Sequence, residues 1–314
     1  MRTAYRVLLA VIMLALVALL VPGAVPLAGA EDLPAYEPVS LNGESANVID
    51  YQEKTPYAPH EDAYFTEGLG GYLDDTISVR FDTLRRADTD IWLCWVQIAD
   101  ASQLRTATYK PYPSKSSEMA NKIAVREKAV LAINGDFFMD RKEGYIVRNG
   151  EELRDNYYEG LDALVVDGDG DFYILRAPTK EKFDTIEGRI VQAFAFGPGL
   201  VIDGELQTYF PEGNMKPNSR TQRMALCQMG TLSYLMIATA GPEQKNSQGL
   251  TMPELAQLAY DLGAQQAYNL DGGSSTWLVF KGQKVNAPGS KKRPICDIVY
   301  FVTSEPEEAA EAVE

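Results

Sequence analysis

An α+β fold is predicted: one mixed domain with a strand-rich core and few helices, preceded by a signal segment and a linker. Three observations carry this. From about Thr76 the chain breaks into many short apolar runs bounded by Gly, Asn, Asp and Pro, the pattern of strands and turns. Only residues 251–263 carry a fully specified helix, and strands outnumber helices without regular alternation, which favours α+β over α/β. The 314 residues are 46% hydrophobic, 23% charged and 10% aromatic, a composition able to bury a large core.

At the amino terminus Arg2 and Arg6 precede an uncharged, largely apolar stretch over 7–30. Pro22 and Pro26 lead to Ala28-Gly29-Ala30, a small-residue cleavage pattern, before acidic Glu31 and Asp32. Residues 1–30 therefore read as an export signal; left uncleaved, the same stretch is long enough to anchor the chain in a bilayer. Either reading places the rest outside the cytoplasm, secreted or attached to the cell envelope, with membrane contact only in the uncleaved form. Cleavage would move the net charge from −15 to −17, because only Arg2 and Arg6 are lost.

Residues 31–75 read as a linker or irregular arm, 76–303 as the mixed domain and 304–314 as an acidic tail. Within the domain, 76–81 and 91–98 are strands, the second buried along its length. Residues 116–128 are helical in composition, and 129–133 form a buried strand ending at Asn134-Gly135. Strands 161–166 and 172–175 flank an acidic turn; 190–196, 199–202, 224–227 and 232–238 follow. Thr251 and Glu254 then make a capping box, each side chain serving an orphan amide. Leu255, Leu258, Ala259 and Leu262 give that helix one apolar face, and Gly263 ends it. Strands 267–270, 276–280 and 298–302 complete the domain.

The charge excludes whole classes of function. With 29 Lys and Arg against 44 Asp and Glu, the chain carries −15, the wrong sign for general nucleic-acid binding. A few converging arginines can still build a local anion site. The single histidine, His60, excludes a multi-His zinc centre. Cys94, Cys227 and Cys296 each sit in an apolar run and read as small core residues, an odd number that argues against a disulfide scaffold. Asp167-x-Asp169-x-Asp171 suggests a calcium loop but has Phe172 where Gly is required and Pro178 where Glu is required, so a hairpin turn is the better reading.

Two segments share a design in which an apolar strand stops at Asn and passes into Gly and Asp. They are Ala132-Ile133-Asn134-Gly135-Asp136-Phe137-Phe138 and Tyr268-Asn269-Leu270-Asp271-Gly272-Gly273-Ser274-Ser275. Either alone is compatible with a turn. Together, a carboxylate at each strand end with glycines that let the backbone approach a ligand looks like one split site. Ser274 and Ser275 add donors suited to phosphate or sugar oxygens. Arg220 and Arg223 at the start of an apolar run, Arg148 and Arg293 are candidate anion forks; surface arginines in weak ion pairs are the plainer alternative.

These segments resemble the phosphodiester glycosidases. The match is carried by INGDFF (133–138) with 144–148, FGPGLV (196–201), RMALCQ (223–228), and NLDGGSS (269–275) behind its helix at 249–263. Arg293-Pro294-Ile295-Cys296-Asp297 also fits the bacterial pattern, and the resemblance covers roughly 90–303 in unbroken order. Where the family carries Arg-Thr-Ala-Ile-Gly, this chain has Arg223-Met224-Ala225-Leu226-Cys227. The family arginine is therefore assigned to Arg223, with Arg220 second. Asp136 stands where eukaryotic members lack an acid, which fits positioning as well as chemistry.

The resemblance implies an exported hydrolase that cleaves the glycosidic C–O bond of a sugar-1-phosphodiester, giving free sugar and a phosphomonoester. It implies Asp271 as the essential carboxylate, activating water or attacking the anomeric carbon. Arg223 would stabilise the leaving phosphate, with Asn134 and Asp136 completing the catalytic group. Arg148, Asn269, Gly272, Gly273, Ser274, Ser275, Arg293 and Asp297 are the expected substrate-binding residues. No metal ligand set is expected and no cofactor is required; a structural divalent cation is compatible with the motifs but not called for by them. The expected partner is a carbohydrate or glycan phosphodiester. The alternatives are a metal-dependent phosphodiesterase, poorly served by one His, and a non-catalytic carbohydrate-binding or exopolysaccharide-assembly protein of the cell surface, which would not need an intact Asp271.

Overall fold

Three antiparallel sheets share one hydrophobic interior in the computed structural model, which describes residues 33–41, 56–212, 215–287 and 289–304. The expected export segment over 1–30 and the tail beyond 304 lie outside the described residues. The first sheet has nine strands, in the order Tyr64–Phe65, Gly71–Leu73, Ile77–Arg86, Thr89–Ile98, Ser233–Thr239, Met224–Gly230, Gln266–Leu270, Gly199–Ile202 and Glu205–Leu206. The second has five: Phe172–Leu175, Ala163–Asp167, Ile190–Ala195, Ile146–Arg148 and Glu151–Arg154. The third also has five: Gln283–Lys284, Leu278–Phe280, Leu131–Asn134, Asp297–Phe301 and Leu104–Thr108. Neighbouring strands pair antiparallel throughout, so the fold is α+β as the sequence predicts.

All three sheets feed the same core. Val79, Leu226, Tyr268 and Leu270 from the first sheet pack with Leu164 and Phe194 from the second and Leu131, Ile133 and Phe301 from the third. Burial of this apolar area is the main force joining the sheets. Cys94, Cys227 and Cys296 are buried and unpaired, as their apolar settings imply.

The helix Met252–Asp261 has both hydrogen bonds of its capping box, with the Thr251 hydroxyl accepting from the Glu254 amide and Glu254 accepting from the Thr251 amide. It covers Gly199–Ile202 with a face that includes Leu255, Leu258 and Ala259. The helix Ala120–Arg126, shorter than the composition of 116–128 suggests, packs Ala120, Ile123 and Ala124 on Ala132, Ile298 and Tyr300 of the third sheet.

One further region departs from expectation. Part of the 31–75 arm is built into the first sheet: Tyr72 pairs with Val79 in register, and Tyr36 stacks on Trp95 at 5.6 Å. Strands of two and three residues are too short to show a period of two, which is why the sequence hides them. The acidic run after Ala163–Asp167 is a hairpin turn, in which Asp167 Oδ1 accepts from the amides of Asp169 and Asp171.

Candidate active site

The two Asn-Gly-Asp-type segments meet, although they come from different sheets. Leu131–Asn134 ends the third-sheet strand and Gln266–Leu270 ends the first-sheet strand, and the side chain of Asn134 bridges them. Its Nδ2 donates to the Asp271 carbonyl at 2.7 Å, while its Oδ1 accepts from the Trp277 amide at 3.0 Å. The Asp271 amide in turn donates to the Gly135 carbonyl at 3.4 Å. Asn134 thus works as a brace between the loops, with both ends of its amide spent.

Behind Gly135 lies a buried charge cluster contributed by the second and third sheets. Arg148 donates to Asp136 Oδ1 at 2.6 Å and reaches Asp297 Oδ2 at 3.5 Å. Its guanidinium is held between Phe138 and Phe194, at 4.5 and 4.4 Å from their ring centres. Asp136, with 0% exposure, also accepts from the Ala195 amide at 2.8 Å. Asp297 is 1% exposed and accepts from the Cys296 thiol. Burial and the neighbouring Asp136 carboxylate push the Asp297 carboxyl up to about 7. The two carboxylates share one guanidinium, with Asp136 in the shorter contact. Gly135 is required by this arrangement, because a Cβ there would fall 2.0 Å from Asp297 Oδ2. Asp136, expected as a catalytic residue, and Arg148 and Asp297, expected as substrate contacts, are therefore buried together behind Gly135.

Asp271 is partly buried. Its Oδ1 accepts from the Gly272 amide at 2.9 Å. Burial raises the carboxyl above the ordinary carboxylate range, against the Ser275 hydroxyl, the Gly272 amide, and the positive charges of Arg293 and Arg141. A short 3₁₀ turn, Gly273–Ser275, follows and packs tightly on the neighbouring segment: a Cβ on Gly272 would meet the Gln222 carbonyl at 2.7 Å, and the Gly273 amide donates to that same oxygen at 2.9 Å. The two glycines thus serve close packing of backbone on backbone. Ser274 contributes its carbonyl, which accepts from the Arg293 amide at 3.3 Å and ties that arginine to the site.

The guanidiniums that remain available are Arg293 and Arg141. Arg293 lies over Phe137 at 5.1 Å and Arg141 over Phe196 at 4.4 Å. Among the described residues neither is hydrogen-bonded to a carboxylate, and both act on Asp271 through their charge. Phe137 has φ 61°, a left-handed conformation unfavourable for an aromatic residue, at the point where the loop turns between Asp136 and the 3₁₀ turn Phe138–Asp140.

Arg223 is differently placed. It is 5% exposed, and its donors go to the carbonyls of Leu250, Lys216, Ser219 and Met215. Burial without a facing carboxylate pulls its pKa down to about 10. It acts as a strut for the 215–219 segment, departing from the expected phosphate contact. Arg220 pairs with Glu254 at the helix start and donates to the Gly249 carbonyl at 2.9 Å.

An open cavity of about 440 Å³ adjoins this arrangement, with Arg141 and Phe196 in its wall beside Tyr158, Asp162, Phe210 and Glu212. Asn269 shapes the same wall: its Nδ2 donates to the Gly197 carbonyl at 2.7 Å, and its amide to the Pro198 carbonyl at 3.1 Å. Its Oδ1 is buried without a partner. The sequence reading missed Arg141, Tyr158 and Phe210, which come from loops whose local patterns carry no signal. The FGPG segment, 196–199, and Asn269 were the motifs that pointed toward this wall.

The comparisons bear on the fold and the family. Residues 127–302 match the family model described as phosphodiester glycosidase. Among solved structures, the chain resembles the zebrafish N-acetylglucosamine-1-phosphodiester alpha-N-acetylglucosaminidase catalytic domain auto-inhibited by pro-peptide. That match has a TM-score of 0.59 and 15% identity and covers 79% of this chain and 87% of the other. A hypothetical protein from Synechocystis matches with TM-score 0.55 and 15% identity, over 73% of this chain and 62% of that one. The SPbeta prophage-derived uncharacterized protein YomE of Bacillus subtilis (strain 168) is 26% identical over 186 residues, 58% of this chain, which span only 28% of the relative's length. At 15% identity the solved structures speak for the fold, while the family model covers more than half of the sequence. The chain belongs to the phosphodiester glycosidase family.

Proposed function

We propose that the protein hydrolyses the bond between the anomeric carbon and the phosphate oxygen of a sugar-1-phosphodiester, releasing free sugar and a phosphomonoester. The observation that carries this reading is the Asp271 carboxylate lying in the field of two guanidiniums, Arg141 and Arg293, that have no carboxylate of their own among the described residues. Family membership supports the same reaction class.

The chemistry follows from charge. As the C–O bond breaks, its electron pair leaves with the phosphate oxygen, and the phosphate passes from one negative charge to two. Paired guanidiniums stabilise that gain more than they stabilise the substrate, which lowers the barrier. A phosphate leaves readily, so protonating it matters less than holding its charge. Asp271 takes the proton of a water attacking the anomeric carbon, or attacks that carbon itself before water completes the reaction. Inversion of the sugar marks the first route and retention the second. The sugar occupies the cavity, where Tyr158, Phe196 and Phe210 offer ring faces and Asp162 and Glu212 offer hydroxyl acceptors.

In this reading Asn134, Asp136, Arg148 and Asp297 hold the loops in place, and no step calls for a metal or cofactor. We further propose export, on the strength of Arg2, Arg6, the apolar stretch and Ala28-Gly29-Ala30. The test of the reaction is a panel of sugar-1-phosphodiesters offered to the purified protein with and without a chelator. Release of free sugar and phosphomonoester, undiminished by chelation, is expected; a carbohydrate-binding protein would retain ligand and release nothing.

A further inference from the structure

The sequence carries −15 overall, yet one exposed run beside Asp271 is strongly basic: Lys291, Lys292 and Arg293. The run is anchored to the site, since the Arg293 amide donates to the Ser274 carbonyl, and the Arg293 carbonyl accepts from Trp277 Nε1 at 2.9 Å. A fourth cation stands beside it. Lys284 Nζ donates to Ser290 Oγ at 2.8 Å and lies 5.2 Å from the centre of the Trp277 ring. Burial and the nearby Lys292 ammonium hold Lys284 down to about 8, against a smaller pull from Glu243. Among the described residues Lys284, Lys291, Lys292 and Arg293 form no ion pair with a carboxylate. Holding like charges together costs free energy unless an anion is there to receive them.

The cavity and the basic run differ in kind. The cavity, where aromatic faces and carboxylates stand beside Arg141 and Arg176, suits a polyhydroxylated ring with one phosphate. The Lys291–Lys292 side suits negative charge. Given the reaction proposed above, on which this inference rests, we infer that the group beyond the scissile phosphate is itself anionic: the substrate is a glycan chain of sugars joined by successive phosphodiesters, with its next phosphate received by Lys291, Lys292 and Lys284.

The test compares two probes, the methyl phosphodiester of N-acetylglucosamine 1-phosphate and a tetramer of the N-acetylglucosamine 1-phosphate repeat. Binding to the full chain carrying Asp271→Asn is measured by calorimetry at low and high salt. Monomer hydrolysis by the unaltered protein is followed separately. The tetramer is expected to bind about tenfold or more tightly than the monomer at low salt, with the advantage shrinking as salt rises. Adding Lys291→Gln and Lys292→Gln should abolish the advantage, whereas the charge-matched pair Lys122→Gln and Lys245→Gln should leave it in place. Equal affinity for the two probes, or a tetramer advantage that survives Lys291→Gln and Lys292→Gln, overturns the inference. Tight tetramer binding with no hydrolysis of either probe would uphold the anionic track and sink the hydrolase reading. Monomer hydrolysis with no tetramer advantage would do the reverse.

Discussion

The side-chain amide of Asn134 donates to the main-chain carbonyl of Asp271 at 2.7 Å, across 137 residues of sequence and between two different sheets. This bond holds the stretch of main chain that carries the Asp271 carboxylate. Replacing Asn134 with Ala removes that donor and orphans the Trp277 amide, which Asn134 Oδ1 now accepts. A stability loss of about 1–3 kcal/mol is expected. Turnover should fall with it while Asp271 remains present. Thermal melting and steady-state kinetics on the same preparation check both, and unchanged turnover would remove Asn134 from the positioning of Asp271.

Asp271→Asn should lower turnover about a hundredfold or more with the melting profile retained. The acid limb of activity reports the same group, because Asp271 must be ionised to act and burial raises its pKa. Arg293 lowers that pKa, so Arg293→Gln should move the acid limb toward higher pH as well as lower the rate. A pH–rate profile that does not move would separate Arg293 from the carboxylate.

Arg141 and Arg223 should part company. Arg141→Ala removes a guanidinium from the cavity wall, and a loss of roughly tenfold to a hundredfold in kcat/KM is expected with little change in melting. Arg223→Ala instead strips hydrogen bonds from four carbonyls around 215–219 and Leu250, so its first effect is on stability. Parallel melting and kinetics decide; an Arg223→Ala protein that melts normally but is inactive would return Arg223 to the substrate.

Much of this was legible in residue order. The strand ends at Asn134 and Leu270, the capping box of Thr251 and Glu254, and the buried cysteines all rest on local patterns that the tertiary structure obeys. What the sequence did not show is which arginines are spent. Arg148 and Arg223 sit in motifs, yet most of their donors go to carboxylates and carbonyls inside the fold. Arg141 sits in a polar loop with no periodic signal and acquires its place only when the Phe196 segment comes beside it. Leu104–Thr108 escaped for a related reason: Arg105 and Thr106 interrupt its apolar pattern but are buried at the join with other elements.

The buried pair should respond unequally to amide substitution. Asp136 takes the short bonds from Arg148 and the Ala195 amide, so Asp136→Asn weakens the main counter-charge of a buried cation and costs about 3 kcal/mol. Asp297 meets Arg148 only at 3.5 Å and burial raises its carboxyl, so Asp297→Asn should cost less, about 1 kcal/mol. The pH dependence has a definite sign. A carboxyl raised to about 7 when folded, from 3.8, binds its proton more tightly in the folded chain. It contributes most stability at the acid end of that window and loses it as pH rises through about 7. The stability of the unaltered protein relative to Asp297→Asn should therefore fall across that window and level off above it, as denaturant unfolding at stepped pH will measure.

The most direct test of the central claim is hydrolysis in oxygen-18 water with mass analysis of both products. Cleavage between the anomeric carbon and the phosphate oxygen, with Asp271 activating water or forming a covalent intermediate, places the heavy oxygen on the released sugar and none on the phosphomonoester. Heavy oxygen on the phosphate would mean attack at phosphorus and would contradict the mechanism, whatever the fold.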